Sequence, residues 1–355
     1  MINYYELGPD RRLNETVFVG SHDAGVTGGE GNTKTQDLDI HLQAESGVRV
    51  FDIRIIGAVV KKGSANKVVD LKAYHGKGPE SKASGVSLST NENVSITVKS
   101  MWGGAFGMSL TKMLSDASKF VIQNPTEFLM LKFDHCSNWM GIAEACVTVL
   151  GDTIYKEGGN LNTKTLRDLR GKVIVLFTEE GLKAVHHLYG IPQGILGIKN
   201  LQKGSAYAPQ YHGLQYFGKG GTSILKPFNK LDQNVKNQKK LMAKGAAGDP
   251  NVMGMMYWTT TGISESIRDR NTTMWSQPNV DRLKQMWEGG LQEAIEARNN
   301  TFRRIDGFDS AVKLKAFMPN IIMIDFADPQ KCNHIFELNT HSPTFLVKNI
   351  QNFNL

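Results

Sequence analysis

Seven apolar runs, most of them closing on polar residues, constrain the fold of this chain more than any other feature. They are "TVFVGSHD", "VRVFDIRII", "LKAYHG", "FLMLKFDH", "KVIVLF", "VMGMMYWTTT" and "NIIMIDFAD". Their hydrophobicity is almost continuous rather than alternating, the pattern of strands buried on both faces of a parallel sheet. Stretches of helical period separate several of them. In "SLTKMLSDASKFVIQN" the residues Leu110, Met113, Leu114, Ala117 and Val121 share one face, and in "NVDRLKQMWEGGLQEAIEARNN" Leu283, Met286, Trp287, Leu291 and Ile295 do. Strands alternating with crossover helices predict an α/β fold, a (β/α)8 TIM barrel with one strand still to be placed. Both "GILGIKNL" and "LQYFGKG" are open for that strand. No linker or internal repeat divides the chain, so residues 1–355 are expected to form a single domain.

Two Gly-rich excursions, residues 76–107 and 188–250, interrupt the pattern and are expected as long insertions at the C-terminal face, forming a lid or a membrane-facing rim. "GAVVKKGSANKVVDLK" reads as a β-hairpin with a loose, basic tip. No run approaches the roughly 18 apolar residues of a membrane span. The opening "MINYYELGPDRR" has no basic segment leading into an apolar one, so a soluble protein without a secretory signal is expected, cytoplasmic or exported by another route. Cys136, Cys146 and Cys332 are odd in number and lack metal-type spacing, which favours reduced thiols. The net charge of +7 suits an anionic partner such as a membrane surface, but the lysines are scattered and no nucleic-acid module is present. Nucleic acid is therefore not expected as a partner.

The polar residues at the strand ends carry the chemistry. They are His22 and Asp23, Asp52 and Arg54, His75, Lys132, and Asp325, drawn from five of the runs. In a parallel barrel such ends meet at one mouth. Each has a plain structural reading: a strand-end His is more often structural, Arg54 could pair with Asp52, and Asp325 could cap a turn. As a set they describe an acid/base pair of imidazoles with carboxylate orienters around a cation that binds an anion. Phosphodiester cleavage by an internal hydroxyl needs such a set, one imidazole to accept a proton and the other to supply one. The glycines after Asp23, in "AGVTGG", are expected to free the backbone and leave room above the pair.

The ordered blocks "VGSHDAG", "SGVRVFDIR", "YHG", "NPTEFLMLKF" and "NIIMIDFAD" resemble the catalytic domain of phosphatidylinositol-specific phospholipase C, particularly the bacterial type. The resemblance covers residues 17–135 and the last strand, whereas 178–250 does not align. It implies a distorted TIM barrel and a reaction in which the inositol 2-hydroxyl attacks phosphorus, releasing diacylglycerol and a cyclic inositol phosphate. It implies His22 as general base oriented by Asp325, His75 as general acid assisted by Asp23, Arg54 on the phosphate, Asp52 holding the local network and Lys132 on the inositol ring. Arg54 and Lys132 take positions that are acidic metal ligands in the calcium-dependent relatives, so no metal and no cofactor are expected. The expected partner is a phospholipid at a membrane surface, with Trp102 and Phe106 of "MWGGAFGM" as candidate membrane contacts beside the reading that they only begin a core face. The unaligned middle keeps two alternatives open: a phosphodiesterase with another head group, and a non-catalytic phosphoinositide-binding barrel.

Overall fold

A computed structural model describes residues 1–29, 31, 33–62, 67–76, 78–100, 104–219, 232–238, 251–259, 266–277, 279–284 and 319–340. Eight strands in it close into a parallel barrel: β1 (Phe18–Ser21), β2 (Val48–Ile53), β8 (Leu129–Phe133), β9 (Val173–Phe177), β10 (Ile195–Asn200), β11 (Gly213–Lys219), β12 (Met253–Trp258) and β13 (Pro319–Ile324). They follow chain order around the ring, and β13 returns to pair with β1. This is the expected TIM barrel. Strand residues alternate between two cores, as closure demands. Phe18, Val50, Met130, Ile174, Leu196 and Leu214 belong to one, while Val19, Phe51, Leu131, Val175 and Ile322 join the cluster that includes the helices.

Two sequence expectations need correction here. "LKAYHG" is not a barrel strand, and "GILGIKNL" and "LQYFGKG" both are, as β10 and β11. Two segments of the excursion at 188–250 are therefore barrel wall. The glycines hid these strands. Gly197 and Gly213 are register partners in adjacent strands, and a Cβ on Gly213 would lie 1.9 Å from the Gly197 carbonyl oxygen. Close approach of two backbones leaves no space for the β-branched residues that mark a strand in sequence.

The other excursion builds a second sheet. β3 (Ile55–Lys62), β4 (Lys67–Gly76), β5 (Glu80–Ser87), β6 (Asn93–Lys99) and β7 (Gly104–Ser109) lie in the order β3-β6-β5-β4-β7, with β3 also paired to β4. The antiparallel β3–β4 pair is the expected hairpin, and its basic tip at 63–66 lies outside the described residues. Only Arg54 separates β2 from β3. The register Ile55↔Ala73 then returns β4 to the place where β3 began.

Helices pack against the barrel, one of them where the periodicity put it. α1 (Ile40–Ser46) starts at Asp39, whose carboxylate accepts from the Leu42 amide at 2.9 Å, and stops at Gly47, whose φ of 123° continues no helix. α2 (Leu110–Gln123) is capped by Ser109 and buries Leu110, Met113, Leu114, Ala117 and Val121, the face read from sequence. α3 (Trp139–Leu150) follows β8. Of the helix expected over 279–300, only 279–284 lies within the described residues. Among the described residues no helix is long and apolar enough to cross a membrane. The three cysteines are free and buried.

The loop after β1 does not stand open as the sequence suggested. It packs on β7: the Met108 amide donates to the Gly25 carbonyl at 2.9 Å, and a Cβ on Gly107 would fall 1.9 Å from that oxygen. Gly107→Ala is accordingly expected to lower stability by about 1–3 kcal/mol, as overpacking against fixed backbone does. An unchanged urea midpoint would show that loop and strand separate without cost.

Candidate active site

Register explains why the barrel residues meet. β1 pairs with β13 through Ser21↔Ile324, and the His22 amide extends that ladder to the Ile324 carbonyl at 3.0 Å. The next residue of each strand is His22 and Asp325, and His22 Nδ1 lies 2.9 Å from Asp325 Oδ1. In the same way β2 pairs with β8 through Asp52↔Lys132, and Lys132 Nζ donates to Asp52 Oδ1 at 2.7 Å. Two cross-strand neighbours thus become two ion pairs.

His75 arrives by a different route. It rides on the return leg of the β3–β4 hairpin, where the Tyr74 amide donates to the Arg54 carbonyl at 3.0 Å. One residue on, His75 Nδ1 lies 2.5 Å from Asp23 Oδ2. The same carboxylate pairs through Oδ1 with Arg54 Nε at 2.6 Å, and its Oδ2 is 3.5 Å from His22 Nε2. Asp23 is buried and has a φ of 45°, a left-handed conformation that Asp tolerates better than most residues and that ends the strand. The Thr35 hydroxyl donates to its carbonyl at 2.9 Å, and Gln36 Nε2 donates to the His22 carbonyl at the same distance.

His22, Asp23, Arg54, His75 and Asp325 therefore form one cluster, with Asp52 and Lys132 beside it. Arg54 does not pair with Asp52, the partner its sequence neighbourhood suggested, but with Asp23, and its Nη2 stands 3.4 Å from His22 Nε2. Lys132 is only 1% exposed, held between Asp52 and Asp134, the latter at 2.9 Å. Phe106 is the cross-strand partner of Tyr74 in β7, with ring centroids 5.0 Å apart, a packing position that leaves it half-buried. Trp102 lies outside the described residues.

Sequence reasoning passed over two residues. Tyr257, in β12, sets its ring edge-on to His22 at 5.5 Å between centroids and donates from its hydroxyl to Asp52 Oδ2 at 3.3 Å. Asp134 supplies the second carboxylate on Lys132. Both stand at polar strand ends, in "MMYWTTT" and "LKFDH", the same signal that marked the others.

The electrostatics follow from this crowding. Burial alone would lower the His22 pKa, but the carboxylates of Asp23 and Asp325 outweigh it and raise the value to about 9. For Asp23, burial opposes ionisation, yet His22, Arg54 and His75 hold its carboxyl well below the ordinary carboxylate range. Lys132 is pushed down by desolvation and up, by more, by Asp52.

His22, Asp23 and Asp52 bring ligand atoms within 4.8 Å of one another, spacing that a metal ion can use. The carboxylate oxygens already have partners, however. Asp23 faces Arg54 and His75, and Asp52 faces Lys132 and the Tyr257 hydroxyl. A divalent ion among them would meet two fixed cations. The donor set does not fit a metal well.

No family model matches this chain, and no curated protein is similar to it in sequence. Solved structures do match. One structure of the phosphatidylinositol-specific phospholipase C of Staphylococcus aureus superimposes with a TM-score of 0.52 at 16% identity, over 93% of this chain and 95% of that one. A second from the same organism gives 0.50 at 16% identity, over 94% and 96%. The fold is that of a bacterial phosphatidylinositol-specific phospholipase C. The enzyme of Listeria monocytogenes aligns at 15% identity with a TM-score of 0.49, over 93% of this chain and 95% of its own.

The raised His22 value makes folding stability depend on pH. A folded-state value of about 9 above the ordinary 6.5 means that charged His22 stabilises the fold fully below pH 6.5 and ceases to as pH rises through 9. The loss is expected to reach up to about 3 kcal/mol in the wild type and to be absent in His22→Gln. Urea midpoints measured across that window check this, and equal slopes for the two proteins would assign the effect elsewhere.

Proposed function

We propose that this chain is a phosphodiesterase of the phospholipase C type, cleaving phosphatidylinositol or its glycosylated form at a membrane surface. The observation that carries the reading is the pair of imidazoles, each held through Nδ1 by a buried carboxylate, with one guanidinium beside the first ring and paired to the carboxylate that holds the second. Holding Nδ1 leaves Nε2 of each ring for the substrate, as proton transfer requires. A non-catalytic lipid site has no need of two separately oriented histidines.

In this scheme His22 Nε2 accepts the proton of the inositol 2-hydroxyl as that oxygen attacks phosphorus. His75 Nε2 gives a proton to the departing glycerol oxygen. The phosphorus–oxygen bond to diacylglycerol breaks as the bond to the ring oxygen forms, leaving a cyclic inositol phosphate. Arg54 binds the phosphoryl oxygens and neutralises the charge that builds on them. Asp325 and Asp23 fix the two tautomers and stabilise each imidazolium, while Asp52 and Tyr257 brace the wall beside His22. With Arg54 and Lys132 in place the chain supplies its own cations, and the reaction proceeds without a metal. The Staphylococcus aureus structures of this fold concern an enzyme with membrane binding, which supports a peripheral site of action.

The burial of Lys132 favours one second reading. In the bacterial enzymes that the sequence resembles, this lysine contacts the inositol ring, whereas here it is held by Asp52 and Asp134. A phosphodiesterase with a different head group would be consistent with that loss.

Vesicles of phosphatidylinositol are expected to yield a cyclic inositol phosphate equally in chelator and in calcium. His22→Ala and His75→Ala should each lower kcat by about 10²–10⁴-fold. Because a base must be unprotonated, the rising limb of kcat/KM against pH should lie above the ordinary histidine value of 6.5. Strong activation by calcium would remove the metal-free scheme, turnover only of other head groups would select the second reading, and saturable binding without turnover would select a lipid-binding barrel.

A further inference from the structure

We infer that a cavity walled in part by Arg54 is a second anion subsite, built to take a phosphomonoester. It has a volume of about 280 Å³; its polar lining is Arg54, Tyr74, Glu80, Lys99, His135 and Ser137, and Ile55, Ile56 and Gly76 complete the wall. That volume is several times the roughly 30 Å³ share of one water, enough for a phosphate group and its hydrogen-bond partners.

The lining chooses the ligand class. Arg54 and Lys99 bring two cations, Ser137 a hydroxyl donor and His135 an imidazole at the rim, against the single carboxylate of Glu80. Arg54 is engaged on Asp23 through Nε, so the guanidinium keeps further N–H groups for an anion. The Lys99 side chain is four-fifths buried and its ammonium lies 5.2 Å from the centre of the Tyr74 ring.

Glu80 is the cross-strand partner of Lys99, with Oε1 3.3 Å from Nζ. Its side chain is 53% exposed, so water screens the pair and it is weak. A phosphate dianion, carrying more charge and three acceptor oxygens, displaces that carboxylate readily. Because Arg54 also stands 3.4 Å from His22, a group seated here lies next to the reacting phosphate of the proposed reaction. The head-group assignment rests on the proposed phosphodiesterase function; the anion subsite itself does not.

Inorganic phosphate titrated into the full chain, followed by backbone amide NMR, reads the subsite without any turnover. Shifts are expected at Gly76, Lys99 and Ser137, with affinity roughly fivefold weaker in Lys99→Gln and tighter in Glu80→Gln, which removes the competing charge. Ser137→Ala should give a smaller loss and serves if Lys99→Gln disturbs the fold. Shifts confined to His22 and His75, or equal affinities in all the variants, overturn the subsite. Vesicle assays separate two sources of the phosphate. A kcat/KM advantage for a phosphorylated phosphatidylinositol that disappears in Lys99→Gln assigns the group to the lipid head group. Lys99-dependent phosphate binding with equal turnover of both lipids assigns the subsite to free phosphate. Failure to turn over any lipid would count against the phosphodiesterase reading alone, leaving the titration to judge the subsite.

Discussion

The buried carboxylate of Asp23 is the interaction on which the site depends. It lies where three segments meet: the end of β1 that bears it, the Arg54 joint between β2 and β3, and the β4 return leg that carries His75. A carboxylate taken from water costs several kcal/mol unless charged partners surround it, and removing one partner of such a group typically costs about 3–5 kcal/mol. Arg54 and His75 are thus held in place by the same force that keeps Asp23 ionised. The left-handed backbone at Asp23 turns its chain aside so that the carboxylate can face both.

Two architectures contribute to one cluster. The parallel barrel sets His22 against Asp325 and Asp52 against Lys132 by register alone, since neighbouring parallel strands place equivalent residues side by side. A barrel with these strands could not also supply His75, because its third position is occupied by β8. The second sheet does so, and the backbone contact between Gly25 and Gly107 locks it against the loop that follows His22 and Asp23. The glycines after Asp23 therefore serve close docking rather than open space.

Much of this was legible in the sequence, because burial and register leave marks in residue type. Continuous apolar strands marked the parallel sheet, and the polar residue after each apolar run marked the mouth. That rule reached His22, Asp52, Arg54, Lys132 and Asp325, and would have reached Asp134 if applied to every strand end, and Tyr257 only if extended to the last aromatic residues of a run. What stayed hidden depends on partners far along the chain. β10 and β11 look like loop because their glycines answer to each other across the sheet, and "YHG" looks like a barrel strand because apolar composition does not reveal direction. The pairing of Arg54 with Asp23 rather than Asp52 is likewise set at the joint between β2 and β3, where Arg54 lies outside both strands and sequence spacing does not say where its side chain goes.

The His22–Asp325 pair joins residues separated by 303 positions, from the first barrel strand to the last. A chain growing from its N-terminus presents His22, Arg54 and His75 long before Asp325 exists to orient the first of them. Contacts of such long range are also among the slowest to form. A chain that stops short of β13, even one with its second sheet docked, lacks the carboxylate that fixes the His22 ring. Completion of the barrel and completion of the His22–Asp325 pair are therefore one event.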